Sequence, residues 1–157
     1  MKKLFIDQEK CDKCEKCAVS CSYFYHPDNI GITALREMAK YAIFCRKCEL
    51  GTCVQSCPQE ALEKVDGRLK RYNLRCISCK SCNIACPFGT ILPELLPFMI
   101  DQCDYCQGRC NDTTPPLCVS SCTCGALEFK EVEEDKTKHI YKVNENLYVH
   151  SVQWERI

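Results

Sequence analysis

Four stretches of closely spaced cysteines recur along this chain and constrain it more than any other feature of the sequence. "CDKCEKCAVSC" carries Cys11, Cys14, Cys17 and Cys21; "CRKCELGTCVQSCP" carries Cys45, Cys48, Cys53 and Cys57; "CISCKSCNIACP" carries Cys76, Cys79, Cys82 and Cys86. The fourth, "CDYCQGRCNDTTPPLCVSSCTC", is looser and holds Cys103, Cys106, Cys110, Cys118, Cys122 and Cys124. Their first cysteines, at 11, 45, 76 and 103, define a repeat of about thirty residues. Cysteine makes up 18 of 157 residues, above the roughly 8–10% at which cross-links or metals dominate a small chain. Without the cysteines about a third of the chain is apolar, thin for a core of this size. The thiols are therefore expected to hold the fold together by what they bind, and the apo-protein is expected to be largely unfolded, because ligation and folding are coupled.

Three chemistries use clustered thiols. Structural zinc takes C-x2-C pairs, usually two pairs per tetrahedral ion, and has no use for the third cysteine two residues on that the first and third motifs share. A disulfide framework belongs to an exported chain. The lysines of "MKKLFIDQEK" begin as an export signal does, but Asp7 and Glu9 interrupt any apolar region and no twin-arginine follows. The chain is expected to be cytoplasmic, where thiols are ligands rather than cystines. The third chemistry fits: C-x2-C-x2-C-x3-C-P is the bacterial ferredoxin spacing for [4Fe–4S] clusters, in which the fourth cysteine ligates the neighbouring cluster. Pro87 after Cys86 biases the backbone out of the helical region and turns the chain away there.

Composition narrows the function. With 21 basic and 21 acidic residues the formal charge is zero, which argues against a nucleic-acid binder or a polyanionic tail. No apolar run approaches a membrane span, so no direct insertion into a bilayer is expected. No nucleotide loop, flavin fingerprint or nucleophile–base arrangement is present.

Between the second and third motifs, "ALEKV" and "RLKRYN" flank Asp66-Gly67, a dipeptide favoured in tight hairpins. Motif, hairpin, motif is the layout of a compact two-cluster ferredoxin, which pairs motifs two and three through exchange of Cys57 and Cys86. Strand-like "KLFID" before motif one and "ALEFKEV" after motif four can then pair across the chain ends and close a second, permuted unit. The expected fold class is α+β: tandem bacterial-ferredoxin-like units with short hairpins and helices, held by four [4Fe–4S] clusters. The expected organisation is a single polyferredoxin domain over 1–157. It comprises an inner unit at 40–98, an outer permuted unit at 1–39 plus 99–130, and a C-terminal β-like docking or capping tail at 131–157.

On "CRKC-x4-CVQSCPQEAL", "RCISCKSCNIACPFGTI", "CDYCQGR" and "PLCVSSCTCGAL", the chain resembles the four-cluster ferredoxin subunits of multi-subunit oxidoreductases such as formate dehydrogenase, [NiFe] hydrogenase and carbon monoxide dehydrogenase. The resemblance covers residues 4 to about 130. It implies four ligand sets: Cys11, Cys14, Cys17 and Cys122; Cys103, Cys106, Cys118 and Cys21; Cys45, Cys48, Cys53 and Cys86; and Cys76, Cys79, Cys82 and Cys57. Thr123-Cys124 stands where the family has Pro-Thr, so Cys124 competes with Cys122; Cys110 competes with Cys118, whose "PLCV" context is the family's. The bland reading of Cys110 and Cys124 is that they are spare thiols.

Lys13, Lys16, Arg46, Lys47, Arg75, Lys80 and Arg109 lie in or beside the motifs, either tuning an anionic cluster or forming a solvated face. Tyr23, Phe24, Phe88 and Tyr105 adjoin ligands. His26, His139 and His150 are scattered and are given no metal. "ITALREMAKYAIF" has helical apolar spacing, and "HIYKV" and "LYVHSVQW" read as two strands turned at "NEN", with Trp154 and Tyr148 as candidate docking aromatics. The resulting expectation is a non-catalytic iron–sulfur subunit of a hetero-oligomeric, anaerobic oxidoreductase complex. Its partners are a catalytic subunit, [NiFe] hydrogenase or formate dehydrogenase, and a second redox subunit containing flavin or iron–sulfur. The alternatives are a diffusible polyferredoxin or a redox sensor.

Overall fold

The apolar run Leu4-Phe5-Ile6 forms the centre of strand β1 (Lys3–Asp7), with all three side chains buried. In the computed structural model residues 1–22, 30–93, 96 and 103–152 are described. They divide into two units, Met1–Ile32 with Cys103–Ile157, and Thr33–Gln102. Tyr23, Phe24, His26 and Trp154 lie outside the described residues.

The first unit is built on a four-stranded sheet of order β4-β1-β6-β5, with β4 (Leu127–Lys130), β5 (Ile140–Lys142) and β6 (Leu147–His150). β1 pairs antiparallel with β4, from Lys3↔Lys130 to Ile6↔Leu127, and parallel with β6, from Leu4↔Leu147 to Asp7↔His150. A strand with neighbours on both sides and both faces covered reads as a continuous apolar run, and Ile6, Leu147 and Val149 are fully buried. Burial of each such side chain contributes about 1.5–3 kcal/mol. The segment after residue 130 supplies two strands, β5 and β6, of the same sheet. Asp7 ends β1 and caps the short helix α1 (Gln8–Asp12), its carboxylate accepting the Lys10 N–H at 3.2 Å.

The second unit contains most of helix α2 (Ile30–Phe44) and the short helices α3 (Thr52–Gln55) and α4 (Ser81–Ala85). Between α3 and α4 lies the hairpin of β2 (Leu62–Val65) and β3 (Arg68–Arg71). Val65 pairs with Arg68 across the two-residue turn, where Asp66 (φ 50°) and Gly67 (φ 71°) both adopt the left-handed conformation of a type I′ turn. The core joins Tyr41, Cys53, Leu62, Leu69, Cys82, Ile91 and Leu96. The Thr52 hydroxyl ties α3 to α4 by donating to the Ala85 carbonyl at 3.0 Å. No helix among the described residues is long and apolar enough to cross a membrane.

Candidate metal centres

In three of the four motifs the residue before the second cysteine is left-handed: Lys47 (φ 53°), Ser78 (φ 57°) and Tyr105 (φ 56°). None is glycine, and such backbone costs a non-glycine residue roughly 1–3 kcal/mol, which surrounding structure must offset. The turn aims amides at sulfur. The Ser78 N–H donates to Cys76 Sγ at 3.4 Å and the Tyr105 N–H to Cys103 Sγ at 3.3 Å. Next in chain order, α3 and α4 each start after a left-handed residue, Gly51 (φ 56°) and Lys80 (φ 63°), and carry Cys53 and Cys82 inward. The last cysteine of each follows its helix and also gathers donors: the Ala61 N–H reaches Cys57 Sγ at 3.2 Å, and the Thr90 hydroxyl lies 3.4 Å from Cys86 Sγ.

The thiols group by the fields they exert on one another. Cys53 is pushed up first by burial and then by Cys45, Cys48 and Cys86. Cys82 is pushed up to about 11 by burial, with Cys76 and Cys57 adding to the effect, and one small cavity is lined by Cys57, Cys76, Cys79 and Cys82. Burial takes Cys103 to about 11 and Cys118 to about 12; Cys106 and Cys21 reinforce both, and Cys103 itself acts on Cys118. Beside these, Cys103, Cys106, Cys110 and Cys118 line a cavity of about 350 Å³. Cys110 is raised by burial and, among thiols, by Cys106 alone. Proximate thiolates repel one another and are stabilised by a cationic centre between them, and backbone N–H groups aimed at sulfur stabilise the anionic ligand. The donor sets therefore fit iron–sulfur clusters. Among the described residues no three Cys, His, Asp or Glu side chains converge on a single ion. Thiolates around one zinc stand only about 3.8 Å apart, whereas cubane ligands surround a larger inorganic body.

Motif one departs from this pattern. Lys13 is right-handed (φ −82°, ψ −7°), and Cys14, expected as a thiolate ligand, is joined by a disulfide to Cys124, expected as a spare thiol. The reason lies in the sheet. The β1–β4 ladder ends with the Asp7 N–H on the Ala126 carbonyl at 2.8 Å, which sets the "CTCG" turn against motif one. Cys11, Cys17 and Cys122 stand outside this disulfide. The other end of motif one also reaches motif four: the Ser20 N–H donates to Ser121 Oγ at 2.9 Å, and Ser22 Oγ lies 3.3 Å from Cys106 Sγ.

Of the charged side chains singled out in the motifs, Lys13, Lys16, Arg46, Lys47, Arg75, Lys80 and Arg109 are exposed. Arg109 pairs with Asp104 at 2.8 Å and also reaches Cys106. Phe88 is half exposed and shields little. Tyr105 is partly buried, with its hydroxyl accepting from Asn144 at 2.7 Å. His150 pairs with Asp7 at 3.2 Å.

Sequence reading missed Glu37 and Arg71. Arg71 donates from Nε and Nη2 to the two Glu37 carboxylate oxygens at 2.6 and 2.7 Å, both side chains buried, and also reaches Cys76. Burial pushes the Glu37 carboxyl up and opposes the Arg71 charge, while the mutual hydrogen bonds work the other way. The bidentate geometry keeps the pair ionised. The only signal was position: Arg71 lies five residues before Cys76 and Glu37 in mid-helix, and neither fact reveals burial.

The 4Fe-4S dicluster domain family matches residues 36–132. The putative electron transport protein YsaA of Escherichia coli K12 is 32% identical over 146 residues, covering 83% of this chain and 90% of that protein. A subunit of the anaerobic dimethyl sulfoxide reductase of the same strain is 30% identical over 156 residues, covering 86% of this chain and 76% of its own length. The putative oxidoreductase AegA, also of that strain, is 31% identical over 80% of this chain, which spans only 21% of AegA. With its recurring thiol motifs and this match over more than half its length, the chain belongs to the 4Fe-4S dicluster domain family and is an iron–sulfur protein of ferredoxin type.

Proposed function

We propose that this chain is a non-catalytic electron-transfer subunit holding four [4Fe–4S] clusters. It passes single electrons between a catalytic oxidoreductase subunit and a second redox subunit of a cytoplasmic hetero-oligomeric complex. The carrying observation is the grouping of sulfurs: Cys53 with Cys45, Cys48 and Cys86; Cys82 with Cys76 and Cys57; Cys118 with Cys103, Cys106 and Cys21. In each of these groups one thiol comes from a different motif than the others, as the exchange of fourth ligands requires. The assignment is Cys45, Cys48, Cys53 and Cys86; Cys76, Cys79, Cys82 and Cys57; Cys103, Cys106, Cys118 and Cys21; and Cys11, Cys14, Cys17 and Cys122. Two ferredoxin-like units, each with two of these sets, make up the polyferredoxin.

The clusters supply one-electron couples. The chain holds them by thiolate, turns the Ser78 and Tyr105 amides onto ligand sulfurs, and keeps the Arg71 cation buried beside Cys76. The amides and the cation favour added negative charge and so raise a potential. The catalytic partner is read as a [NiFe] hydrogenase or formate dehydrogenase from the motifs, and the reductase subunit among the relatives supports the same placement beside an anaerobic catalytic subunit.

Anaerobic native purification tests this reading. The expected result is co-elution with a catalytic chain and about 16 iron atoms per chain. Elution alone as a small monomer, or iron that saturates at about eight, would overturn it.

A further inference from the structure

Cys14 and Cys124 are separated by 110 positions in sequence, yet their Cα atoms lie 6.4 Å apart and their sulfurs are bonded. That span is within the range a disulfide bridges without backbone movement. Three contacts hold the two segments together independently of the bond. β1 and β4 pair up to Ile6↔Leu127, the Asp7 N–H meets the Ala126 carbonyl, and the Ser20 N–H meets Ser121 Oγ. Cys124 sits on a turn where the Gly125 N–H returns to the Cys122 carbonyl at 3.3 Å, Gly125 being left-handed (φ 62°). Both Thr123 and Cys124 are exposed, Cys14 only partly buried, and Cys17 exposed. A small oxidant reaches this edge, whereas Cys53, Cys82 and Cys106 are buried.

The second observation is in the backbone. Motifs two, three and four share a left-handed residue before the second cysteine, at Lys47, Ser78 and Tyr105. Motif one does not: Lys13 is right-handed and the Cys14 N–H closes a turn onto the Cys11 carbonyl at 3.2 Å. The one motif whose second cysteine is in a disulfide is also the one lacking that conformation.

We propose that Cys14 and Cys124 form a redox pair that withdraws Cys14 from the outer ligand set of Cys11, Cys14, Cys17 and Cys122 when the protein meets hydrogen peroxide. The inference rests on that proposed ligand set. The Cys124 thiolate attacks one peroxide oxygen and the O–O bond breaks, giving Cys124 sulfenic acid and a hydroxide that takes a proton to become water. The Cys14 sulfur then attacks the Cys124 sulfur; the S–S bond forms, the S–O bond breaks, and the second hydroxide leaves as water with another proton. Two sulfurs lose one electron each, and the peroxide gains both. Iron held through Cys14 loses that ligand, and the other three sets are untouched. A dithiol reductant reverses the step.

The test uses the whole chain, purified anaerobically, treated with one equivalent of hydrogen peroxide, alkylated and mapped by mass spectrometry, with iron counted before and after. Expected are a linked Cys14–Cys124 peptide in wild type, loss of about four of about sixteen irons, and neither change in Cys124→Ser. Absence of the linked peptide, or a link without iron loss, overturns the proposal. So does Cys124→Ser that is already short of iron before peroxide, since Cys124 would then be a resident ligand. Wild type carrying about eight irons before treatment overturns the ligand reading and, distinguishably, this proposal with it.

Discussion

Glu37 and Arg71 show what a single pair of residues decides here. Their bidentate bond is buried beside Cys76, where an unpaired charge of either sign is costly. Glu37→Gln removes the buried carboxylate that faces the guanidinium, and the expected loss is about 3–5 kcal/mol of stability. If the variant folds, removing the negative charge shifts one cluster potential upward in an EPR-monitored redox titration. Unchanged potentials together with unchanged thermal stability would refute this role. Thiol protonation acts at the same scale. Burial and neighbouring sulfurs take Cys103 from 9.0 up to about 11 and Cys118 up to about 12. Raised values stabilise the iron-free fold below pH 9.0, and that support is lost as pH rises through about 11 and about 12. Ligation needs thiolate and releases these protons, so higher pH favours the loaded state throughout. Iron retained against a chelator should increase from about pH 6 to about pH 8; retention that is flat or falls over that range would contradict the argument.

At the scale of elements, β1 and α1 meet at Asp7, which joins the sheet to motif one. Its carboxyl is pushed up by burial but held below its usual value overall by the Lys10 N–H, by His150 and by the Lys10 ammonium. Stability from a depressed carboxyl is present above its unfolded value of 3.8 and is lost as pH falls through the lower folded value. Asp7→Ala removes both cap and ion pair and should cost about 1–2 kcal/mol. Asp7→Asn keeps the cap acceptor and should cost less, with the remaining acid dependence of the sheet's melting reduced. Equal melting of the two variants would show that the cap contributes nothing. Much at this scale was legible in advance. Asp66-Gly67 specified its turn because both positions require positive φ, "KLFID" announced a strand by its apolar run, and "ITALREMAKYAIF" announced a helix by its period.

For the molecule as a whole, the two units owe their cores to different chemistry. In the sheet unit Leu4, Phe5, Ile6, Leu127, Leu147 and Val149 are buried on strands that backbone ladders hold in register. In the other unit, Cys53 and Cys82 belong to the core cluster itself. Removing iron should therefore unravel Thr33–Gln102 while amides of β1, β4 and β6 keep their protection in hydrogen exchange. This narrows to the second unit the expectation of a largely unfolded apo-protein, which rests on the coupling of ligation to folding. Uniform loss of protection across both units on chelation would restore it.

The sequence by itself determined the chemistry: thiol spacing needs only local chain geometry, so the iron–sulfur character was readable from residues a few positions apart. It also announced the hairpin at Asp66-Gly67 and the strands at Lys3–Asp7 and Leu127–Lys130. Only the tertiary structure decided what lies next to what. It placed β6 parallel to β1, so that the last strands became part of the sheet. It buried Arg71 and Glu37 as a pair beside Cys76, and it brought Cys124 onto Cys14 across 110 residues. These are long-range contacts fixed by β-ladder register and burial, for which no spacing in the sequence carries a signal.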